Sequence, residues 1–192
     1  MITVPTKHLK AALLAAGKQD VRFYLNGVRV EASAAETRCV GLNGILGAVL
    51  RHATVNDTIA DFTAPREVIE AAIKAKRDTT EFDQLDDGHW LMNGTHRFKP
   101  VDGTFPNYRR VMPTAATGDP GRGLNPELFA LFGKMAAALG RKTDDVTTHL
   151  NGENAAAITI EGYPDFAGVL SPLGFKGETA PYGLGVQGWA AQ

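Results

Sequence analysis

Val101-Asp102-Gly103-Thr104-Phe105-Pro106-Asn107-Tyr108-Arg109-Arg110-Val111-Met112-Pro113 sets two prolines, two aromatics and a pair of arginines between a turn signal and an apolar end. Asp102-Gly103 marks the turn. Phe105-Pro106 fixes an extended entry, because the residue before a proline is pushed out of the helical region. No side chain here is an obvious nucleophile. The residues predict a structured turn followed by a short strand that presents two cations.

Working outward, the chain reads as a helix followed by strands, repeated. Val4-Pro5-Thr6 starts a first helix with Thr6 as N-cap. Leu9, Ala12, Leu13 and Ala16 recur at helical spacing, and Gly17 stops the helix. Residues 21–31 carry Val, Phe, Tyr and Val and predict a strand, which an Asn26-Gly27 turn would split in two. Further strands are expected over 37–40 and 45–52, around a turn at Leu42-Asn43-Gly44. The order then recurs. A short strand over 59–63 precedes a helix opened by Pro65, with Val68, Ile69, Ala72 and Ile73 on its apolar face. Strands follow around 80–85, 89–93 and 95–100, joined at Asp86-Asp87-Gly88 and at Asn93-Gly94, a strong hairpin signal.

Beyond the opening stretch, residues 114–123 are rich in glycine and threonine and read as a linker. Asn125-Pro126-Glu127 supplies a cap, a first-turn proline and an acid at the positive helix end. Leu128, Leu131, Phe132, Met135 and Leu139 form the apolar stripe of this third helix, and Gly140 ends it. Strands are expected over 146–150 and 155–161, around Asn151-Gly152, and over 166–170. Residues 174–192 are Gly-rich, with Phe175, Tyr182 and Trp189 spaced apart, and read as a flexible or loosely docked tail. The whole is three helix-then-strands units of about fifty to sixty residues, a period long enough to be a structural repeat.

Composition narrows the class. With 192 residues there is ample chain for a core, and no run of eighteen apolar residues suggests a membrane span. The N-terminus shows no signal peptide pattern. Cys39 has no partner for an internal disulfide, which fits a reducing cytoplasm and burial in a strand. The five histidines, His8, His52, His89, His96 and His149, lack metal-binding spacing, and no catalytic constellation, nucleotide loop or cofactor motif is present. Asp86-Asp87 and Asp144-Asp145 read as turn residues.

The opening stretch closely resembles the sequence that closes the middle domain of the bacterial beta sliding clamp, the processivity ring of DNA polymerase III. Gln19-Asp20-Val21-Arg22-Phe23-Tyr24-Leu25-Asn26-Gly27-Val28 resembles the opening strand of the same domain, and Thr63-Ala64-Pro65-Arg66-Glu67-Val68-Ile69-Glu70 its second helix start. The resemblance covers about residues 1–113, with a weaker likeness of pattern to about Leu173. It implies an α+β DNA-clamp fold of about one and a half domains: a complete two-unit domain over 1–113, a linker over 114–123, a third half-domain unit over 124–173, and a tail without counterpart over 174–192.

In that family the helices line the hole, so helix charge is informative. Residues 6–18 carry Lys7, Lys10 and Lys18, for +3. Residues 65–77 carry Arg66, Lys74, Lys76 and Arg77 against Glu67 and Glu70, for +2; residues 125–142 carry Lys134, Arg141 and Lys142 against Glu127, for +2. The three segments total +7 in a chain of formal net charge −1, which leaves −8 elsewhere. A basic helical layer attracts phosphate without reading bases. An ordinary solubilising surface would also carry such lysines.

The resemblance further implies an apolar pocket for short peptides of polymerases and clamp loaders. Matching positions are Leu42, Gly44, Ile45 and Leu46 on one wall, Pro106, Arg110 and Val111 on another, and Ala155, Ala157, Val169, Ser171 and Leu173 from the third unit. Where the family carries polar residues, the loop here is Leu42-Asn43-Gly44-Ile45-Leu46-Gly47, and the polar anchors are replaced by aliphatics. Plain core packing is the alternative for these residues.

The implied function is a non-enzymatic clamp-like replication factor that associates with or encircles duplex DNA. Two other readings remain: a clamp-fold protein that binds or inhibits a host clamp or its partners, and a helix-turn-helix regulator built on residues 125–150. An unpaired third unit would expose its helix stripe, so a homo-oligomer is expected, paired through third units and, at its fullest, closed as a tetrameric ring.

Overall fold

The computed structural model describes residues 1–113, 123–152 and 154–173. Apart from Gly123, the expected linker lies outside the described residues, as does the expected tail. The first unit comprises β1 (Ile2–Pro5), α1 (Thr6–Ala15), β2 (Gly27–Ala32), β3 (Glu36–Leu42) and β4 (Leu46–Ala53). The second comprises β5 (Ala60–Pro65), α2 (Arg66–Lys74), β6 (Thr79–Gln84), β7 (Trp90–Met92) and β8 (His96–Phe98). The third comprises α3 (Pro126–Ala138), β9 (Val146–His149), β10 (Ala156–Ile160) and β11 (Phe166–Leu170).

The strands form two antiparallel sheets, ordered β1-β6-β7-β8 and β5-β2-β3-β4-β11-β10-β9. The first two units exchange their leading strands: β1 pairs with β6, with Ile2 opposite Phe82, and β5 pairs with β2, with Phe62 opposite Val30. The third unit extends the larger sheet through β11, which pairs with β4. At that seam Arg51 meets Asp165 at 2.8 Å.

The helices cover one face of the sheets. α1 lies in the middle, in contact with α2, α3, β3 and β4. Flanked on both sides, it buries His8, Leu9, Ala11, Ala12, Leu13 and Ala15, more than the narrow stripe expected from the sequence. Its backbone rests directly on β3. A Cβ on Gly41 would lie 1.8 Å from the Ala12 carbonyl oxygen, so only glycine allows this approach. Phe62 stacks on Trp90 with centroids 4.0 Å apart, joining the two sheets in one core. A small cluster of Leu25, Val40, Leu42, Phe105 and Tyr108 covers part of the opposite face.

Local physics corrects several expectations. Residues 2–5 form a strand where a helix start was expected. Thr6 is the first helical residue, and its hydroxyl bonds that of Thr80 (2.8 Å) instead of capping. Pro65 ends β5, and α2 begins at Arg66. Residues 21–26 are no strand: Asp20 and Asn26 exchange hydrogen bonds of 2.8 Å that close a loop, and Phe23–Leu25 form a 3-10 turn. Asn26-Gly27 is the entry to β2, not a hairpin. The strand expected at the end of the opening stretch is a 3-10 turn, Tyr108–Arg110, because the Asn107 side chain accepts from the Arg109 N–H. Asn93 and Gly94 do form the expected hairpin, both with positive φ.

The expected exposure of the α3 stripe is also overturned. Phe132, Met135 and Leu139 are buried within one chain, where α3 packs on α1 and β11. Phe132 sits edge-on to Phe166 (6.4 Å) and over Gly168, where a Cβ would lie 2.7 Å from its ring. Finally, Gly140 leads into a 3-10 turn and then β9, which pairs with β10. No second helix follows within residues 141–150, so the helix-turn-helix reading fails.

Candidate functional site

Two surfaces bring the expected residues together, one on each side of the large sheet. On the helical side, α1 is buried almost all round, and its exposed residues Lys7 and Lys10 stand on its one open face. α2 ends at Lys74, and the chain turns through Lys76, whose φ is +53°. This turn brings Lys76 and Arg77 back beside α1. Lys7, Lys10, Lys76 and Arg77 thereby line one cleft of about 560 Å³, together with the apolar Ile73 and Ala138. Asp78 is the one acid among the lining residues. Among the described residues none of these four cations forms an ion pair with a carboxylate, so the cleft keeps a positive excess. Lys7 also stands over the Tyr163 ring, 5.3 Å from its centroid.

The remaining basic residues are less uniform. Lys18, Lys74, Lys134 and Lys142 are exposed. Lys74 shares its face of α2 with the exposed Glu67 and the acid Glu70, which weakens its local field. Arg141 is held by Asp145 at 3.0 Å. Arg66 turns inward: its guanidinium donates to the carbonyl oxygens of Gly17 (2.7 Å), Ala16 (3.1 Å) and Leu13 (3.4 Å), closing the C-terminal end of α1.

Beneath this layer, His8 joins the first unit to the third. Its Nε2 lies 2.6 Å from the Tyr163 hydroxyl, and its ring meets His52 edge-on at 6.0 Å. Burial, with lesser contributions from His52 and Lys7, lowers its pKa to about 4. His8 is therefore neutral near pH 7.

On the opposite face, strand register explains the second grouping. Leu42 faces Gly47, Gly47 faces Val169, and Val169 faces Ala157, so four strands contribute to one row. Gly47 leaves a notch in it: a Cβ there would lie 2.9 Å from Leu42 and 3.1 Å from Val169. The Ser171 N–H donates to the Ile45 carbonyl (2.8 Å), which fixes the rim. Ile45, Val111 and Leu173 stand exposed around the row. Ala155 and Ser171 flank it in sequence, half-buried, while Pro106 is half-buried and Arg110 exposed in the closing stretch. Leu46 does not belong to this surface. The two-residue alternation of β4 turns it to the helical side, where it is fully buried.

The polar member of this rim was missed in the sequence. Arg22 lies against Gly44, donates to the Asn43 carbonyl (3.0 Å) and is held by Asp20 at 2.7 Å. The Arg22 side chain brings the Asp20 carboxyl down to about 2. The signal was present as Asp20-x-Arg22, but only the loop that folds them onto residues 43–44 gives it meaning. Of the arginine pair, Arg109 binds Glu31 at 2.7 Å, and Tyr108 donates to the same carboxylate at 2.9 Å. That network fixes the closing stretch, with Arg109 paired but exposed and Arg110 exposed beside it.

No protein-family model matches the chain. The chain is 29% identical over 175 residues to the beta sliding clamp of Vibrio cholerae, a match covering 88% of this chain and 47% of that protein. Among solved structures it is similar to the DNA polymerase III beta subunit of Pseudomonas aeruginosa (TM-score 0.70, 20% identity). It is likewise similar to that of Thermotoga maritima (TM-score 0.72, 14% identity). Each match covers 91% of this chain and 65–66% of the other. The chain thus spans about half the length of the curated relative it matches.

Proposed function

We propose that the chain, which resembles the bacterial beta sliding clamps in fold and in sequence, is a non-catalytic, cytoplasmic replication factor whose helical layer holds duplex DNA. The observation that carries this reading is the cleft in which Lys7, Lys10, Lys76 and Arg77 converge without ion-pairing to an acid among the described residues. Such cations bind phosphates of any sequence by releasing counterions. The exposed Lys18, Lys74, Lys134 and Lys142 extend this surface at lower field, beside Arg141, while Arg66 serves the fold.

The row of Leu42, Gly47, Val169 and Ala157, rimmed by Ile45, Arg22, Arg110 and Val111, fits a short peptide with one apolar anchor and an acidic or carbonyl group. Segments of a polymerase or clamp loader are the proposed occupants. Homo-oligomerisation belongs to the same reading, and a closed ring of several chains would encircle the duplex. The described helices are not long and apolar enough to cross a membrane.

Duplex binding measured by fluorescence anisotropy over a range of salt tests the reading. The expected result is equal affinity for unrelated sequences and a steep loss with salt. Replacing Lys74, Lys76 and Arg77 by Ala should reduce the logarithmic salt slope by about 2–3, at about 0.9 per phosphate contact. An affinity indifferent to salt and to the substitutions would overturn it.

A further inference from the structure

Lys7 stands where a helix least favours a cation. It lies in the first turn of α1, at the positive end of the helix, and that turn holds no acid. Its side chain is exposed and pairs with no carboxylate among the described residues. A free lysine stem spreads its charge over many rotamers. An aromatic face is set against it here: the Lys7 Nζ lies 5.3 Å from the centroid of the Tyr163 ring. A ring within about 6 Å attracts an ammonium through its quadrupole.

Tyr163 belongs to the third unit, in the turn between β10 and β11, and its backbone, packing and hydroxyl are all fixed. Its N–H donates to the Ile160 carbonyl (3.0 Å), and its carbonyl accepts from the Phe166 N–H (3.1 Å). Gly162, with a φ of +67°, turns the chain just before it. The ring is half-buried against the core and meets His8 edge-on at 5.9 Å, and its hydroxyl lies 2.6 Å from the buried His8 Nε2. His8 follows Lys7 in α1, so successive residues of one helix engage the face and the hydroxyl of one ring.

We infer that Tyr163 is a positioning residue for the basic cleft: the third unit sets Lys7 of the first unit beside Lys10, Lys76 and Arg77. The ring makes no phosphate contact of its own. It narrows the arc that the ammonium explores, so less ordering remains when a phosphate arrives. α3 adds Ala138 to the lining of the same cleft, and all three units thereby contribute to it. This role rests on the proposed binding of DNA in the cleft.

Fluorescence anisotropy of the full chain with a labelled duplex, over a salt series and well below the thermal midpoints, tests the role. Tyr163→Leu removes the aromatic face. It should weaken binding about two- to fivefold with the salt slope unchanged, because Lys7 still reaches its phosphate. Lys7→Ala should lower the slope by about 0.9. Tyr163→Phe keeps the face and should recover most of the affinity lost in Tyr163→Leu. Both Tyr163 variants lose the hydroxyl on His8 and should unfold at lower temperature than the wild type, so stability follows the hydroxyl while affinity follows the ring. In the Lys7→Ala background, Tyr163→Leu should cost nothing more. A Tyr163→Leu protein that binds like the wild type overturns the inference, as does a Tyr163→Phe protein as weak as Tyr163→Leu, or an equal loss with and without Lys7. In each of these cases a steep wild-type salt slope leaves DNA binding by the cleft standing. A wild type indifferent to salt removes that binding, and the role of Tyr163 with it.

Discussion

Arg66 builds the fold, although the sequence places it among the cations proposed to meet DNA. Its Nη2 donates to the Gly17 oxygen at 2.7 Å and the Ala16 oxygen at 3.1 Å, with Nε at 3.2 Å from Gly17. Hydrogen bonds to a charged group contribute about 1.5–3 kcal/mol each, and a cation at a helix C-terminus about 0.3–1 kcal/mol more. Because these donors share acceptors, two full bonds are counted. Arg66→Ala should then cost about 3 kcal/mol, or roughly 6–12 °C in thermal midpoint for a chain of this length. Lys should rescue poorly, since a point charge cannot satisfy several carbonyls at once. The assay pairs thermal unfolding with duplex binding over a salt series, the latter performed well below the midpoint. The expected result is a large loss of stability with an unchanged salt slope. A shift in midpoint below about 2 °C together with a slope reduced by about 1 would place Arg66 on DNA and refute the reasoning.

Burial of His8 makes stability depend on pH. Its pKa falls from 6.5 to about 4 on folding, so the unfolded state binds the extra proton between those values. Stability should therefore fall by about 3 kcal/mol as pH drops from 6.5 to 4; urea midpoints across that range check this, and His8→Asn should flatten the slope. Gly41→Ala should destabilise by about 3 kcal/mol or more, because the new Cβ meets a main-chain oxygen that cannot move aside; denaturant unfolding reads it. A short clamp-binding peptide of a polymerase should slow amide exchange at Ile45, Arg110 and Val111, and Val169→Asp should abolish the effect; unchanged exchange at saturating peptide would remove this surface from the account.

The repeat of helix and strands was legible because periodicity and turn residues are local signals. Val68, Ile69 and Ala72 mark the α2 face, and Asn125-Pro126-Glu127 caps α3 as read, with Asn125 accepting from the Glu127 N–H. Failures occurred where a distant partner decides. Residues 2–5 are a strand only because β6 is there to pair with them, and residues 21–26 leave the strand because Asn26 reaches back to Asp20. Burial of the α3 stripe was invisible because α1, over a hundred residues earlier, supplies its cover. In the candidate site, Lys7 and Lys10 were legible as basic helix residues. Their convergence with Lys76 and Arg77 depends on the turn after α2, and the loss of Leu46 from the outer row on a strand register that composition does not reveal.

In this account DNA lies on the helical layer and not on the outer sheet. Hydrogen–deuterium exchange of the full chain with and without a saturating duplex at low salt tests that placement most directly. Protection is expected around Lys7–Lys10 at the start of α1 and through Ala75–Asp78 after α2, with β3, β10 and the Leu42–Val169 row unchanged. Protection confined to the outer row, with the α1–α2 cleft exchanging as in the free protein, would contradict it.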